Sequence, residues 1–221
     1  MNTRIAGWIT GALALVSVAA AAWTLTVVPP GARVPIHFAL DGRPNGRAPA
    51  AVGLLIIPAI AAVLWAARLI LPRITPRGDN LDRSGVAYGT VWVAVATVLA
   101  LAQADIVAAA LGRPLQLAAA LPATLGLMFL VIGNVMPKLR WNYVMGVRTP
   151  WTLADEWVWD RTHRFAGWLW VVGGLALIAA AVAAPRAPHP GFLAGIIGLL
   201  AVSPMVKSYL LWRERPGAVS H

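Results

Sequence analysis

The chain has 221 residues, of which 59% are hydrophobic and 12% are charged. Soluble domains carry about 25% charged residues, so this composition excludes a soluble globule, and its high hydrophobicity excludes intrinsic disorder. Cysteine is absent, which excludes disulfides, thiolate zinc sites and cysteine nucleophiles. Because the apolar runs do not alternate as strands do, the sequence predicts an all-α, polytopic membrane protein.

Six apolar stretches are long enough to cross a bilayer, since a spanning helix needs about 20 apolar residues. In chain order they are Ile5–Val28, Ala51–Leu71, Gly85–Leu111, Leu115–Met136, Phe165–Ala184 and Gly191–Trp212. Prolines lie near most of their ends and terminate helices, because proline has no N–H group. The first stretch could be a cleaved signal peptide, but it exceeds the roughly 7–15 apolar residues of a signal core, which favours a retained span.

The loop between the first two spans contains His37 and two turn-forming pairs, Asp41-Gly42 and Asn45-Gly46. We expect a short extended piece followed by two turns, which together form a compact cap outside the cytoplasmic membrane. His37 and Asp41 are candidate metal ligands, but two ligands are too few for a closed zinc site. A histidine packed beside its aromatic neighbour is the simpler interpretation, and no metal or cofactor is predicted.

The third span carries two polar residues, Gln103 and Asp105, in its outward half. A charge at the middle of a spanning helix costs about 2.5–3.5 kcal/mol on insertion scales. Asp105 is therefore either a ligand or proton group that faces the bundle, or a carboxylate near the lipid headgroups, close to Arg113. The sequence leaves both interpretations open.

The loop between the fourth and fifth spans is rich in tryptophan and polar residues. Thr152, with Asp155 three residues later, resembles a capping box, so a helix is predicted to begin near Leu153. Tryptophan and arginine are typical anchors at the membrane–water boundary. We therefore expect a short interfacial helix on the inner leaflet that leads into the fifth span.

Within this loop, helical spacing puts Glu156, Asp160 and His163 along one side of the helix. With Arg148 they are predicted to form a polar constellation for a ligand, a partner or a proton. The alternative is a lipid-anchoring loop with local ion pairs, which the chemistry alone favours because such anchors are common at the interface.

The distribution of basic residues predicts the topology. An even number of spans puts both termini on one side, and that side would hold thirteen basic residues against five on the other. Basic loops stay in the cytoplasm, so we expect a multi-pass protein of the cytoplasmic (inner) membrane with both termini cytoplasmic. The net charge of +10 then reflects topology and attraction to the lipid bilayer rather than direct binding of nucleic acid.

An ordered motif occupies residues 133–164: Gly-Asn-x-Met-Pro-Lys, Asn-Tyr-x-x-Gly-Val-Arg-Thr-Pro-Trp-Thr-Leu and Trp-x-x-Thr-His-Arg. It resembles the signature of the SdpI family, the immunity proteins for the sporulation-delaying peptide toxin. The segment around Pro35-x-His37-Phe38 resembles a small membrane domain of unknown function that commonly precedes this signature. The resemblance implies two units: a two-helix unit, residues 1–84, and an SdpI-like four-helix unit, residues 85–221.

The resemblance implies an integral membrane immunity and signalling protein, not an enzyme. Family members protect the cell from a membrane-active toxin, and some also hold a cytoplasmic transcriptional repressor at the membrane. The implied partners are therefore a secreted peptide toxin and such a repressor. A small proton- or solute-coupled transporter, with Asp105 as the coupling group, is the alternative. An enzyme is least favoured, because no serine lies in a nucleophile motif and the acid–histidine cluster lacks a metal set.

The motif and the polar pattern together define the candidate residues for binding a ligand or partner. They are Asn134, Lys138, Asn142, Tyr143, Arg148, Thr149, Trp151, Glu156, Asp160, His163 and Arg164. The resemblance implies that the motif glycine and prolines shape the loop, while Arg148, His163 and Arg164 supply its polar contacts. His37 and Asp41 outside the membrane, and Gln103 and Asp105 within it, complete the candidates.

Overall fold

The computed structural model describes residues 3–38, 44–113, 120–183 and 190–215. Over these ranges the elements are α1 (Thr3–Val27), β1 (Arg33–Phe38), β2 (Pro44–Pro49), α2 (Ala50–Ile74), α3 (Gly78–Arg83), α4 (Gly85–Ala110), α5 (Leu121–Val135), α6 (Pro150–Ala154), α7 (Glu156–Ala183) and α8 (Pro190–Glu214). Six of the helices in the described part are long and apolar enough to cross a membrane. The predicted six-span, mostly helical fold is therefore confirmed.

Two of the six spans differ from their predicted bounds by more than three residues at one end. α5 begins at Leu121, the predicted residues 115–119 lie outside the described ranges, and a 3-10 turn over Met136–Lys138 extends the helix. α7 begins at Glu156, well before the predicted start at Phe165. Asp155 accounts for this early start, because its Oδ1 accepts the free N–H groups of the first helical turn.

The short helix before the fifth span is present as α6, but it begins at Pro150 rather than near Leu153. The predicted capping box of Thr152 with Asp155 is wrong. Thr149 is the cap: its Oγ1 accepts the Thr152 N–H at 3.2 Å, and Thr152 Oγ1 accepts the Thr149 N–H at 2.9 Å. Proline at the first helical position needs no hydrogen-bond acceptor, which fits this earlier start.

The predicted cap is an antiparallel hairpin of β1 and β2. The predicted turn at Asn45-Gly46 is wrong, because both residues lie in β2 and Gly46 is opposite His37. The other predicted turn, at Asp41-Gly42, lies outside the described residues. The hairpin covers one end of the bundle, where Val34 is buried against Leu54 of α2 and its neighbours.

The helices form two packed groups that share α4. Helix α1 packs on α2 and α4, while α5 packs on α7, which in turn packs on α8. Helices α5 and α7 approach each other at two glycine pairs, Gly126 with Gly174 and Gly133 with Gly167. A Cβ atom on Gly133 would lie only 2.8 Å from the Gly167 carbonyl oxygen. Small residues allow such close backbone contact, on which helix association in membranes depends.

Candidate functional site

The loop between α5 and α6 is folded around the side chain of Asn142, which is fully buried. Its Oδ1 accepts the N–H groups of Val144 and Met145, each at 2.8 Å, and its Nδ2 donates to the Arg140 carbonyl oxygen at 2.7 Å. Asparagine is suited to this role because its amide both accepts and donates towards nearby backbone. Asn142 thus acts as the internal brace of residues 139–149, which we call the braced loop.

Two tryptophans tie the same loop to its surroundings. Trp141 Nε1 donates to the Thr152 carbonyl oxygen at 2.9 Å, and Trp159 Nε1 donates to the Leu139 carbonyl oxygen at 2.8 Å. Trp159 is fully buried, so it is a core residue and not a membrane anchor. The expected role of an exposed interfacial tryptophan fits Trp157, which is 39% exposed.

His163 lies on the inner side of α7 and is only 1% exposed. Its Nε2 faces the N–H of Val147 at 3.0 Å, and its Nδ1 faces the carbonyl oxygen of Trp159 at 2.8 Å. A backbone N–H can only donate and a carbonyl can only accept, so Nε2 carries the lone pair and Nδ1 carries the proton. The geometry therefore selects a neutral imidazole with one tautomer.

Gly146 makes the His163 contact possible. Its φ of +115° lies in a region that residues with side chains rarely adopt. A Cβ atom at this position would overlap His163 Nε2 and approach the Trp159 ring. Glycine is required here both for the backbone conformation and for space.

Hydroxyl groups join the loop to α8. Thr149 Oγ1 lies 2.9 Å from Ser208 Oγ, and Ser208 Oγ lies 2.6 Å from the Met205 carbonyl oxygen. Because that carbonyl can only accept, Ser208 donates to it and Thr149 donates to Ser208. A second link joins Asp155, which is buried, to Arg215 after α8 in an ion pair.

Residues outside the motif also hold the loop, and the sequence interpretation missed them. Asn80 Nδ2 donates to the Trp141 carbonyl oxygen at 2.8 Å, and Ser84 Oγ accepts the Arg140 N–H at 2.9 Å. The guanidinium of Arg77 lies 3.2 Å from the centre of the Trp141 ring. Nothing in the local sequence distinguishes these residues from ordinary polar residues at a span boundary.

Most of the other candidate residues in this region face outwards. The exposed candidates are Asn134, Lys138, Tyr143, Arg148, Glu156, Asp160 and Arg164. Trp151 is half-buried against the Tyr209 ring of α8, at 5.0 Å between centroids. His163 points into the core while Glu156 and Asp160 are exposed, so the structure does not bring these three side chains onto one common surface.

Part of this exposed set lines a groove of about 450 Å³ where the ends of α4, α5 and α7 meet. Its charged residues are Arg83, Lys138, Arg140, Asp160 and Arg164. Four cations against one carboxylate make the groove strongly electropositive. A surface of this charge attracts anionic groups by steering and by direct ion pairing. We call it the basic groove.

The candidates nearer the other end of the bundle are separate from the loop. Asp105 is buried, and Gln103 Nε2 donates to the Leu54 carbonyl oxygen at 3.1 Å. His37 is exposed and its Nδ1 lies 2.5 Å from Asn45 Oδ1 across the hairpin. Asp41 lies outside the described residues. No group of three or more His, Cys, Asp or Glu residues suited to a metal occurs among the described residues.

The model of the SdpI/YfhL protein family matches residues 138–208. This part of the chain is an SdpI/YfhL family domain. Immunity protein SdpI of Bacillus subtilis (strain 168) is 42% identical over 52 residues, which are 24% of this chain and 25% of that protein. The chain thus matches about a quarter of that relative's length. No solved structure matches the chain.

The SdpI/YfhL family domain contains the braced loop, α6, α7 and most of α8. It ends at Ser208, the residue whose hydroxyl receives the Thr149 hydrogen bond. Asn134 precedes the matched segment, as do the hairpin and helices α1 to α5. The division into units 1–84 and 85–221 stays a prediction, as does the resemblance of the N-terminal part to a separate membrane domain.

Proposed function

We propose that this multi-pass protein confers immunity to a membrane-active peptide toxin and signals the presence of that toxin. The helical bundle intercepts the peptide in the bilayer, and the SdpI/YfhL family domain presents the basic groove to a cytoplasmic repressor. The family domain and the partial identity to an immunity protein support the proposal. The protein sits in the cytoplasmic membrane with both termini inside, because most of its basic residues lie at that end.

The observation that carries the signalling role is the division of the motif into two sets. Its buried members, among them Asn142, Thr149 and His163, use their hydrogen bonds to hold the loop and the helices next to it. Its exposed members Lys138 and Arg164 line the basic groove. A rigid loop that holds cations on one open surface fits a docking site better than a catalytic pocket, which needs a nucleophile, a base and an orienting group together.

Helix α7 supplies a route from the bilayer to this groove. It is continuous over Glu156–Ala183. One helix therefore carries Asp160 and Arg164 of the basic groove and also the glycines that pack against α5 within the span. A peptide that binds the bundle needs only to favour one position of α7 to change the affinity of the groove for a partner.

The test asks whether signalling needs the cations of the basic groove in particular, and not basic residues elsewhere on the surface. In a strain with a repressor-controlled reporter, Lys138→Gln with Arg164→Gln should abolish induction by added sporulation-delaying peptide. Membrane levels should stay normal, because both side chains are exposed. The matched control, Arg33→Gln with Arg47→Gln on the hairpin, removes the same charge from exposed residues and should leave induction intact. A groove variant that still induces normally contradicts the signalling role.

The immunity role has its own measurement. Cells that express the chain should survive added sporulation-delaying peptide better than cells that lack it. The groove variant should keep this protection if interception depends on the bundle alone. Equal survival with and without the chain contradicts the immunity role.

A transporter is the second candidate, and the buried polar pair in α4 favours it. Asp105 is buried inside the bundle, and the buried Gln103 Oε1 has no hydrogen-bond partner within the described residues. Buried ionisable groups in spans often mark ion or solute pathways. Proton or solute flux in proteoliposomes that disappears with Asp105→Asn, and survives Asn134→Ala, would support this candidate over immunity.

A further inference from the structure

A second cationic cleft lies between α1 and α2, outside the SdpI/YfhL family domain. It has a volume of about 540 Å³, which is within the usual range for small-molecule sites. Arg4, Arg68 and Arg73 lie in its walls together with Trp8 and Trp65. Its position is the end of the bundle where α1 begins and α2 finishes, the same end that carries the braced loop.

Arg68 is the central residue of this cleft. It lies within the span α2 and is only 6% exposed. Its Nη2 donates to the Thr3 carbonyl oxygen, and its own carbonyl oxygen accepts the Tyr88 hydroxyl at 2.8 Å. Its buried Nε has no hydrogen-bond acceptor among the described residues. Arginine keeps its positive charge even when it is buried, so Arg68 favours an anionic group in the adjoining cleft.

The charge balance of the cleft agrees with an anion. Three arginines line it and Asp82 is the one carboxylate among its lining residues. Arginine presents paired N–H donors that match the oxygens of a phosphate group. The cleft therefore fits phosphate chemistry at its polar end.

The cleft also has an apolar part, whose residues lie further into the helices than Arg4 and Arg73 do. Trp8 is 80% exposed on α1, and Trp65 and Leu69 on α2 are also exposed. In a membrane protein such a surface faces acyl chains, and tryptophan is preferred where chains meet headgroups. A cationic end joined to an exposed apolar part fits a molecule with an anionic head and a hydrocarbon tail.

We propose that this cleft binds one anionic phospholipid of the adjoining leaflet. The phosphate lies against Arg68 and Arg73, and an acyl chain runs along Trp8 and Trp65. This site differs from the general attraction of basic loops to anionic membranes, because it depends on named arginines around one cavity. It is also independent of the proposed signalling role, since it uses neither the family domain nor the basic groove.

The test uses the full chain purified in mild detergent and examined by native mass spectrometry. Phosphatidylglycerol should bind with about tenfold higher affinity than phosphatidylethanolamine of the same chain length, because the ammonium of ethanolamine puts a positive charge beside the three arginines. Arg73→Gln should remove this preference. The matched control, Arg47→Gln at the hairpin end, should retain it, because it removes the same charge far from the cleft.

Further variants and a soluble probe complete the test. Arg68→Gln should act like Arg73→Gln, and if this buried variant fails to fold, the exposed Trp8→Ala tests the tail contact by weakening binding of both lipids. Equal binding by the Arg73 and Arg47 variants would overturn the proposal. Full displacement of phosphatidylglycerol by millimolar inorganic phosphate would also overturn it, because the site would then recognise free phosphate and not a lipid.

Discussion

The braced loop and the hairpin close opposite ends of the bundle in different ways. In the hairpin, two strands satisfy each other's backbone groups, and the side chains of His37 and Asn45 remain exposed. The braced loop has no such ladder over residues 139–149, so side chains such as Asn142 and His163 satisfy its backbone groups instead. A dense motif can therefore mark an irregular backbone that needs specific side chains, and not only a surface that touches a ligand.

Among the variants that test this contrast, Gly146→Ala should lower the free energy of unfolding most. The substitution forces a strained φ and a clash with His163, which together cost about 3 kcal/mol of folding free energy. The matched control is Gly112→Ala, whose φ of +74° is also positive but whose added Cβ meets nothing within 4 Å. Thermal unfolding of the two variants in detergent measures the loss of stability that each substitution causes. Equal destabilisation would mean that the contact with His163 adds nothing to the backbone strain.

His163→Phe should have the second-largest effect on the free energy of unfolding. Phenylalanine keeps an aromatic ring at the position but offers no acceptor to the Val147 N–H, and an unsatisfied buried donor costs about 1–3 kcal/mol. The same change at the exposed His37 should stay within about 0.5 kcal/mol. Chemical denaturation of the two variants in the same detergent checks the difference. If both variants are equally stable, the braced loop does not depend on this side chain.

Ser208→Ala should have the smallest effect on the free energy of unfolding among the three variants. It removes the hydroxyl that receives the Thr149 hydrogen bond, and one such bond contributes about 0.5–1.5 kcal/mol. Hydrogen exchange at the amides of α6 should rise, because that hydroxyl ties the cap of α6 to α8. Ser17→Ala is the control, since the Ser17 hydroxyl donates to the Leu13 carbonyl oxygen of its own helix. Unchanged exchange in α6 would exclude the link as a stabilising contact.

Much of the fold was predictable because local properties decide it. The length of each apolar run determines the spans, and proline marks many of their ends. The cap of α6 was misplaced by three residues, since both Thr149 and Thr152 have suitable hydroxyls and only the three-dimensional backbone decides which one caps. The hairpin was predicted only as one extended piece, because Asn45-Gly46 is a strong turn pair that strand pairing with β1 overrides.

The candidate site was predictable in its sequence range but not in its division into buried and exposed residues. His163 and Asp160 lie three residues apart on one helix, yet one faces the core and the other the basic groove. That difference depends on which side of α7 meets the braced loop. The contacts of Asn80 and Arg77 with Trp141 join segments about sixty residues apart, and a single sequence carries no sign of such pairs.

By itself, the sequence determined that this chain has six helices long and apolar enough to cross a membrane, and that one Trp-rich loop carries a family signature. Those features follow from the number and order of residues along the chain, because burial in lipid depends on local hydrophobicity. Only the tertiary structure decided that Asn142 and His163 hold the loop together, that Lys138 and Arg164 line an open groove, and that Arg68 faces a cleft. These roles depend on contacts between distant segments, which form only when the helices pack.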